Sequence, residues 1–219
     1  MMEKLFRSDA DEQLAQRTAK WFELRAGKVT ASSMYKVMAK TKTGYGADRD
    51  NYKAQLVVER LTGQPAKSYS NAAMEWGVQT EAEARAAYEA RYGVLVTEVG
   101  FMPHPTIEMC GASPDGVVGE GLVEIKCPET ATMIDQLLTR KIPDKYMKQM
   151  QLQMKCADKK WCDFVVYDPR MPESMQMFVA RIERDDNFIA AMEAEIIKFL
   201  AEVDSTVAKL KEQYGQADV

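Results

Sequence analysis

Between Cys110 and Pro128 the chain reads CGASPDGVVGEGLVEIKCP, and no other stretch restricts the fold as much. Two apolar, β-branched runs, Glu108–Val118 and Leu122–Cys127, flank the Gly-Glu-Gly of 119–121, which predicts two strands joined by a hairpin turn. SPDG taken alone is a turn signal: Pro presets φ, Asp bonds its own backbone and Gly accepts positive φ. GEG supplies another turn, so SPDG is free to lie in a strand. Side chains alternate along Leu122–Cys127, so Val123, Ile125 and Cys127 take one face. Glu124 and Lys126 take the other, about 7 Å apart along the strand. Folding at GEG carries Asp115 back alongside Ile125, next to Glu124. Two carboxylates and a lysine then meet at one spot on a sheet.

Chemistry gives that trio a use. Two carboxylates with room for water suit a hard, oxygen-liganded cation such as Mg²⁺. Such an ion activates water and stabilises the leaving oxygen in phosphodiester hydrolysis. A lysine beside them can position or deprotonate the nucleophile, or offset charge. The alternative is an exposed hairpin face with an ordinary Glu–Lys pair, and spacing alone does not choose.

Three further positions bear on the choice. Met74, Gly77, Glu81, Ala84 and Tyr88 form one stripe of a long helix, and a carboxylate in so apolar a stripe must be paired, protonated or metal-bound. Met147, Met150, Gln151 and Met154 share another helix face, which turns Gln151 inward as a core amide or a site residue. Arg25 precedes GKVTASSMYK, where Ser32 and Ser33 fall in the first turn of a helix capped by Thr30. Free amides and the helix dipole there favour an anion. A phosphate pocket and a surface Arg with capping serines are both consistent with that pattern.

The rest of the chain reads as helices around strands. Helices are predicted over Asp9–Leu24, after Thr30, over Arg49–Leu61, Asn71–Tyr92, Thr130–Thr139, Pro143–Ala157 and Asp185–Leu210. Strands are predicted over Val94–Phe101, Trp161–Tyr167 and Ser174–Ile182 as well as in the hairpin, with TKTGYGADRD a mobile polar loop. The fold class is α/β of α+β type, a central mixed β-sheet flanked by helices. Without repeats or a linker, 1–219 reads as a single domain: a helical N-terminal third, a sheet core over about 94–183 and a C-terminal helix over about 185–211.

Composition mainly excludes. No apolar run approaches the roughly 18 residues of a membrane span, and the N-terminus has no signal-peptide core, which predicts a cytoplasmic protein with no membrane partner. The one histidine, His104, reads as a solvent-facing loop residue and rules out His-rich zinc chemistry. Cys110, Cys127, Cys156 and Cys162 form no C-x-x-C pair, and there is no phosphate-loop or dinucleotide glycine motif. The net charge of −4 is unevenly spread: 7 bases against 2 acids over 140–160 (+5), and 4 against 9 over 183–219 (−5). A polyanion-facing side and two solvated helix faces both fit that split.

The order of LRAGKVTASS, AMEWGVQTEAEAR, CGASPDG, LVEIKCP, YMKQMQLQ and YDPRM, spanning Trp21 to Arg170, resembles phage lambda exonuclease and its viral recombinase relatives of the PD-(D/E)XK nuclease superfamily. The resemblance implies a restriction-endonuclease-like core and a processive, Mg²⁺-dependent 5′-to-3′ exonuclease on double-stranded DNA. It would release 5′-mononucleotides and leave 3′ single strands for a single-strand annealing protein in phage-type recombination. It implies two Mg²⁺ ions, replaceable by Mn²⁺, held by Asp115, Glu124, the Ile125 backbone carbonyl and Glu81. Lys126 would act on the nucleophilic water, Gln151 would complete the site, and Arg25, Ser32 and Ser113 would bind the 5′-phosphate. A homotrimeric ring on DNA, encoded by a phage or prophage in a bacterial host, is also implied. The chain departs from the pattern at Thr132, where the family carries an arginine on the terminal phosphate; either another base such as Arg140 or Lys141 substitutes, or the preference for a 5′-phosphorylated end is weaker. Trp76 and the neighbouring Met74 are read as core packing, or as base contacts near the strand split. The rivals are a structure-specific or restriction-type endonuclease, a non-catalytic DNA-binding module, and a sugar or peptide hydrolase using Asp115 and Glu124.

Overall fold

The computed structural model describes residues 16–66 and 71–215, without the side chains of Ala73 and Met74. The chain order is α1 (Ala19–Arg25), β1 (Val29–Thr30), a 3₁₀ turn (Ala31–Ser33), α2 (Met34–Val37), β2 (Lys40–Thr41), β3 (Gly44–Tyr45), α3 (Ala47–Thr62) and α4 (Ala72–Tyr92). Then come β4 (Met102–Pro103), β5 (Cys110–Ala112), β6 (Gly116–Val118), β7 (Gly121–Lys126), α5 (Thr130–Thr139), α6 (Asp144–Ala157), β8 (Trp161–Tyr167), a second 3₁₀ turn (Glu173–Met175), β9 (Met177–Glu183) and α7 (Asp186–Tyr214). Among the described residues, no helix is long and apolar enough to cross a membrane.

A four-stranded sheet in the order β6-β7-β8-β9 forms the centre. β7 and β8 run parallel, and β6 and β9 are antiparallel to their neighbours. The expected mixed sheet flanked by helices is therefore what the chain forms. On one face Val123, Ile125, Val165 and Tyr167 pack on Ala84 and Tyr88 of α4. On the other, Leu122, Phe164 and Val166 pack on Met133 of α5 and on Met150 and Met154 of α6. β7 is thus covered on both sides, as parallel strands usually are. The prospect of an exposed Glu–Lys face is gone.

A third cluster joins β1, α2 and α3 to α7, with Tyr52, Phe199 and Met192 at its centre. β1 pairs in parallel with β5, which is flanked on its other side by β4. Glu108–Val118 is therefore not one strand. The chain leaves one sheet after Ala112 and enters the other at Gly116, so SPDG marks a crossing between sheets. Nor is Val94–Phe101 a strand: apart from the Thr97–Val117 bridge its backbone is irregular. Lys40 and the first five residues of TKTGYGADRD form the β2–β3 hairpin and its last four begin α3; the hairpin is fastened to α7 where the Tyr45 hydroxyl donates to Glu195 at 2.7 Å and Lys40 pairs with the same residue at 3.2 Å. The first helix starts at Ala19 behind the N-cap Thr18, and the part of the expected helix over 9–15 lies outside the described residues. His104 is buried, not solvent-facing: its Nδ1 accepts the Thr106 and Ile107 amides, and its Nε2 stands 3.0 Å from Glu193 on α7.

Candidate active site

The site begins with the hairpin. Gly119 takes the left-handed φ of 55° that the two-residue β6–β7 turn requires, and Gly121 lies where a Cβ would come within 2.2 Å of the Trp161 ring. Gly116 pairs with Val123 and Val118 with Gly121, so the next pair outward is Asp115 with Glu124. That register differs by one residue from the expected alignment with Ile125, yet Asp115 keeps a tie to it. Its Oδ2 accepts the Ile125 amide at 2.7 Å. The sheet crossing frees Asp115 from the strand ladder, so its carboxylate caps the edge of β7.

Glu124 is completely buried. Its Oε1 accepts from Gln149 Nε2 and its Oε2 from Gln153 Nε2, each at 2.6 Å, and Lys126 also pairs with Oε1. Gln149 and Gln153 stand one turn apart on α6, the helix covering this face of β7. Gln151 points elsewhere. Its Nε2 donates to the Glu183 carbonyl and its Oε1 accepts the Asp185 amide, both at 2.8 Å, joining α6 to the β9–α7 corner. The expectation that Gln151 faces the carboxylates is corrected by this geometry: α6 is buried almost all round, so its methionine stripe did not single out the side facing β7.

The electrostatics are those of too many acids in one place. Burial, then the charge of Glu124, push the Asp115 carboxyl up to about 8, with Glu81 adding to the rise and Lys126 opposing it. Burial works against the Lys126 ammonium, but Glu124 and Asp115 outweigh it and hold its pKa above the ordinary lysine value. Lys126 is therefore a fixed cation before any ligand arrives. Burial, then Glu81, likewise push the Cys127 thiol up to about 12, leaving it protonated. Among the described residues no three His, Cys, Asp or Glu side chains stand close enough to enclose a metal by themselves. The donors present are hard oxygens, and Mg²⁺ is commonly held by one or two carboxylates while keeping several waters. The charge of Glu124 opposes the ionisation of Asp115, a conflict a divalent cation would relieve, so the residues fit the ion.

Glu81 reaches this region from α4, where its Oε2 accepts from Arg17 Nη2 at 2.6 Å and its Oε1 lies 3.5 Å from Arg85. The exit of β7 is clamped by the YDPRM segment. Asp168, fully buried, accepts from Arg170 and from Thr130 Oγ1, and Arg170 also donates to the Pro128 carbonyl at 3.1 Å. Burial would raise the Asp168 carboxyl, yet the Arg170 and Thr130 bonds outweigh it and leave it lowered. Arg170 lies 4.4 Å over the half-buried Trp76 ring, while the Met74 side chain lies outside the described residues.

The expected phosphate residues divide. Arg25 Nη1 donates to Ser113 Oγ at 3.3 Å, Trp21 Nε1 donates to the same oxygen at 3.0 Å, and the guanidinium lies 4.0 Å over the Trp21 ring. Burial lowers the Arg25 pKa. Ser32 is exposed and instead approaches Thr30 Oγ1 at 3.4 Å. A cleft of about 440 Å³ opens beside Arg25, lined also by Lys28, Ser33, Lys36 and Tyr52. The serine at its wall is Ser33, where the sequence pointed to Ser32. Arg140 is the C-cap of α5, about 12 Å along the helix from Thr132 at 1.5 Å per residue, and lies over Phe178, with Lys141 the next residue beyond it.

A mixed sheet thus carries at its centre two carboxylates beside one lysine ammonium. Residues 20–160 match the YqaJ-like viral recombinase domain. The chain belongs to that family. It is similar to the alkaline exonuclease LHK-Exo of Laribacter hongkongensis, with 50% identity over 90% of this chain and 97% of that one, at a TM-score of 0.83. A structure of LHK-Exo in complex with dAMP gives 51% identity over the same shares and a TM-score of 0.84. A phage-related exonuclease from Haemophilus somnus 129PT shares the fold, with a TM-score of 0.69 at 16% identity over 84% of this chain and 96% of that one. Among curated proteins there is no match.

Proposed function

We propose that this protein is a Mg²⁺-dependent exonuclease that degrades the 5′-ended strand of double-stranded DNA to mononucleotides. The observation that carries the reading is the meeting of the half-buried Asp115 with the fully buried Glu124, with Asp115 held up to about 8 by desolvation and by its neighbour, beside the ammonium of Lys126. Strong perturbation of this kind marks a working site more often than a scaffold. The kinship with an alkaline exonuclease supports the same reaction class.

Each residue has a part. Asp115, Glu124 and the Ile125 carbonyl would hold the metals, with Glu81 as a further acidic group that engages them. The bound ion supplies Lewis-acid stabilisation of phosphate charge and a water of lowered pKa. Gln149 and Gln153 fix both oxygens of Glu124 and so keep that carboxylate in one orientation. Lys126 orients the attacking water and offsets charge on the phosphate. Arg25 and Ser113 receive the 5′-phosphate, with Lys28 and Lys36 lending positive charge to the adjoining cleft. A trimeric ring would explain how a chain of net charge −4 stays on DNA, since only the channel lining has to be basic.

Linear duplex DNA labelled at each end in turn, incubated with and without Mg²⁺, tests reaction, polarity and metal need together. Labelled mononucleotide should leave 5′ ends first and only with Mg²⁺, while a covalently closed circle stays intact. Cutting of the circle would favour an endonuclease. On 5′-phosphoryl and 5′-hydroxyl ends the rates should differ, and the gap should shrink in Arg25→Ala. Light scattering should give a trimer mass.

A further inference from the structure

Arg17 has a backbone that arginine rarely adopts and a partner that the proposed chemistry wants for itself. Its φ is 68°, in the left-handed region that side chains other than Gly, Asn and Asp seldom visit. Two anchors hold it there. On one side Gln16 Nε2 donates to the Val99 carbonyl at 3.0 Å and to the Pro114 carbonyl at 2.8 Å, one residue from Asp115. On the other, Thr18 caps α1 by accepting the Trp21 amide at 3.2 Å. Between them the Arg17 guanidinium reaches Glu81 at 2.6 Å with 45% of its side chain still exposed. Glu81 is the carboxylate of α4 whose charge is felt by both Asp115 and Cys127.

A second cation on Glu81 makes the contact more than a surface pair. Arg85 lies 3.5 Å from the other carboxylate oxygen, but it is more closely engaged with Glu98 at 2.8 Å. Among the described residues Arg17 is thus the principal counter-charge of Glu81, and its exposure leaves it room to swing. A cation beside a carboxylate in an acidic pocket, released when a metal takes that carboxylate, becomes a free guanidinium at the place where a phosphate must arrive. Guanidinium groups suit phosphate oxygens, which they can bind in bidentate fashion.

We propose that Arg17 is a metal-displaced phosphate contact: it neutralises Glu81 in the metal-free protein and, once a divalent ion engages Glu81, turns to a phosphate of the DNA. The proposal rests on the metal-dependent reading above and goes beyond it by assigning a residue outside the Asp115–Glu124–Lys126 trio. Metal binding and the Arg17–Glu81 bond then compete, and the DNA contact of Arg17 exists only in the metal-loaded protein.

Two measurements without turnover test it. Titration of Mn²⁺ into the DNA-free protein should give about fivefold tighter binding in Arg17→Gln, the change expected for losing one part-exposed ion pair. Arg17→Lys should bind as wild type, and in a Glu81→Gln background Arg17→Gln should change nothing. Binding of a 5′-phosphorylated duplex oligonucleotide, with Ca²⁺ in place of Mg²⁺, should lose about 0.9 from its log–log salt slope in Arg17→Gln, one phosphate contact's worth. Without divalent ion the slope should not change. Unaltered Mn²⁺ affinity, or an unaltered slope with Ca²⁺, overturns the proposal. If Asp115→Asn abolishes Mn²⁺ binding while Arg17→Gln leaves it untouched, the metal reading stands and this inference alone falls. A wild type that binds no Mn²⁺ removes both.

Discussion

Two buried acids sit on adjacent strands of the same sheet and lead opposite lives. Asp163 of β8 lies across from Val123 of β7, only one residue along from Glu124. It accepts two bonds from Arg181, at 2.8 and 2.9 Å, and one from the Tyr88 hydroxyl at 2.8 Å. One carboxylate meets one guanidinium, so the charge is balanced. Burial, then that carboxylate, raise the Tyr88 phenol, which stays a donor. At the neighbouring site two carboxylates share one lysine and the deficit appears as the raised Asp115. Balanced pairs hold a scaffold together. An unbalanced one keeps a place for charge that is not part of the chain.

Substitutions should separate the two. Asp115→Asn and Lys126→Ala should each lower Mg²⁺-dependent nucleotide release by roughly 10³-fold, the several kcal/mol a metal site supplies, with unchanged circular dichroism. Near-normal release in either would remove the assignment. Asp163→Ala should do the reverse, costing about 2 kcal/mol in denaturant unfolding because Tyr88 and Arg181 lose their acceptor, while turnover per folded molecule is kept. The glutamines repeat the contrast on a smaller scale. Gln149→Leu or Gln153→Leu should cost about tenfold in rate through a loosened Glu124. Gln151→Leu should cost about 1 kcal/mol in stability and leave the rate alone.

The remaining contrast is in pH. A folded Asp115 with its pKa near 8 keeps a proton that the unfolded chain has already lost above the ordinary aspartate range near 3.8. The folded state therefore binds more protons across that interval, and metal-free stability should fall as pH rises from about 4 to about 8. Asp115→Asn should flatten the slope. Mg²⁺ affinity should climb over the same interval as the carboxylate becomes free to ligate. A metal-free melting temperature that rises towards pH 8 would contradict the account.

Much of this was legible beforehand because it depends on local rules. The two glycines around Glu120 announce the turn, and alternation along LVEIKC puts Glu124 and Lys126 on one face whatever the tertiary context. α5 and β8 carry the predicted bounds, and α4 and α6 begin one residue late. What escaped depends on neighbours. Val94–Phe101 has the composition of a strand but finds a partner only at Thr97. Glu108–Val118 reads as one run, while its ends pair in different sheets. The three glutamines at 149, 151 and 153 have similar polarity, and only the direction from which β7 meets α6 decides which two reach Glu124.

The crossing at Ser113–Asp115 has one more consequence. Ser113 belongs with Arg25 and Asp115 with Glu124, so two residues of chain, roughly 6–7 Å when extended, separate the anchor for a strand end from the cutting site. Under the proposed function that segment is a ruler. The step length of the enzyme is written in its covalent backbone, and any insertion between Ser113 and Asp115 would change what one bite contains.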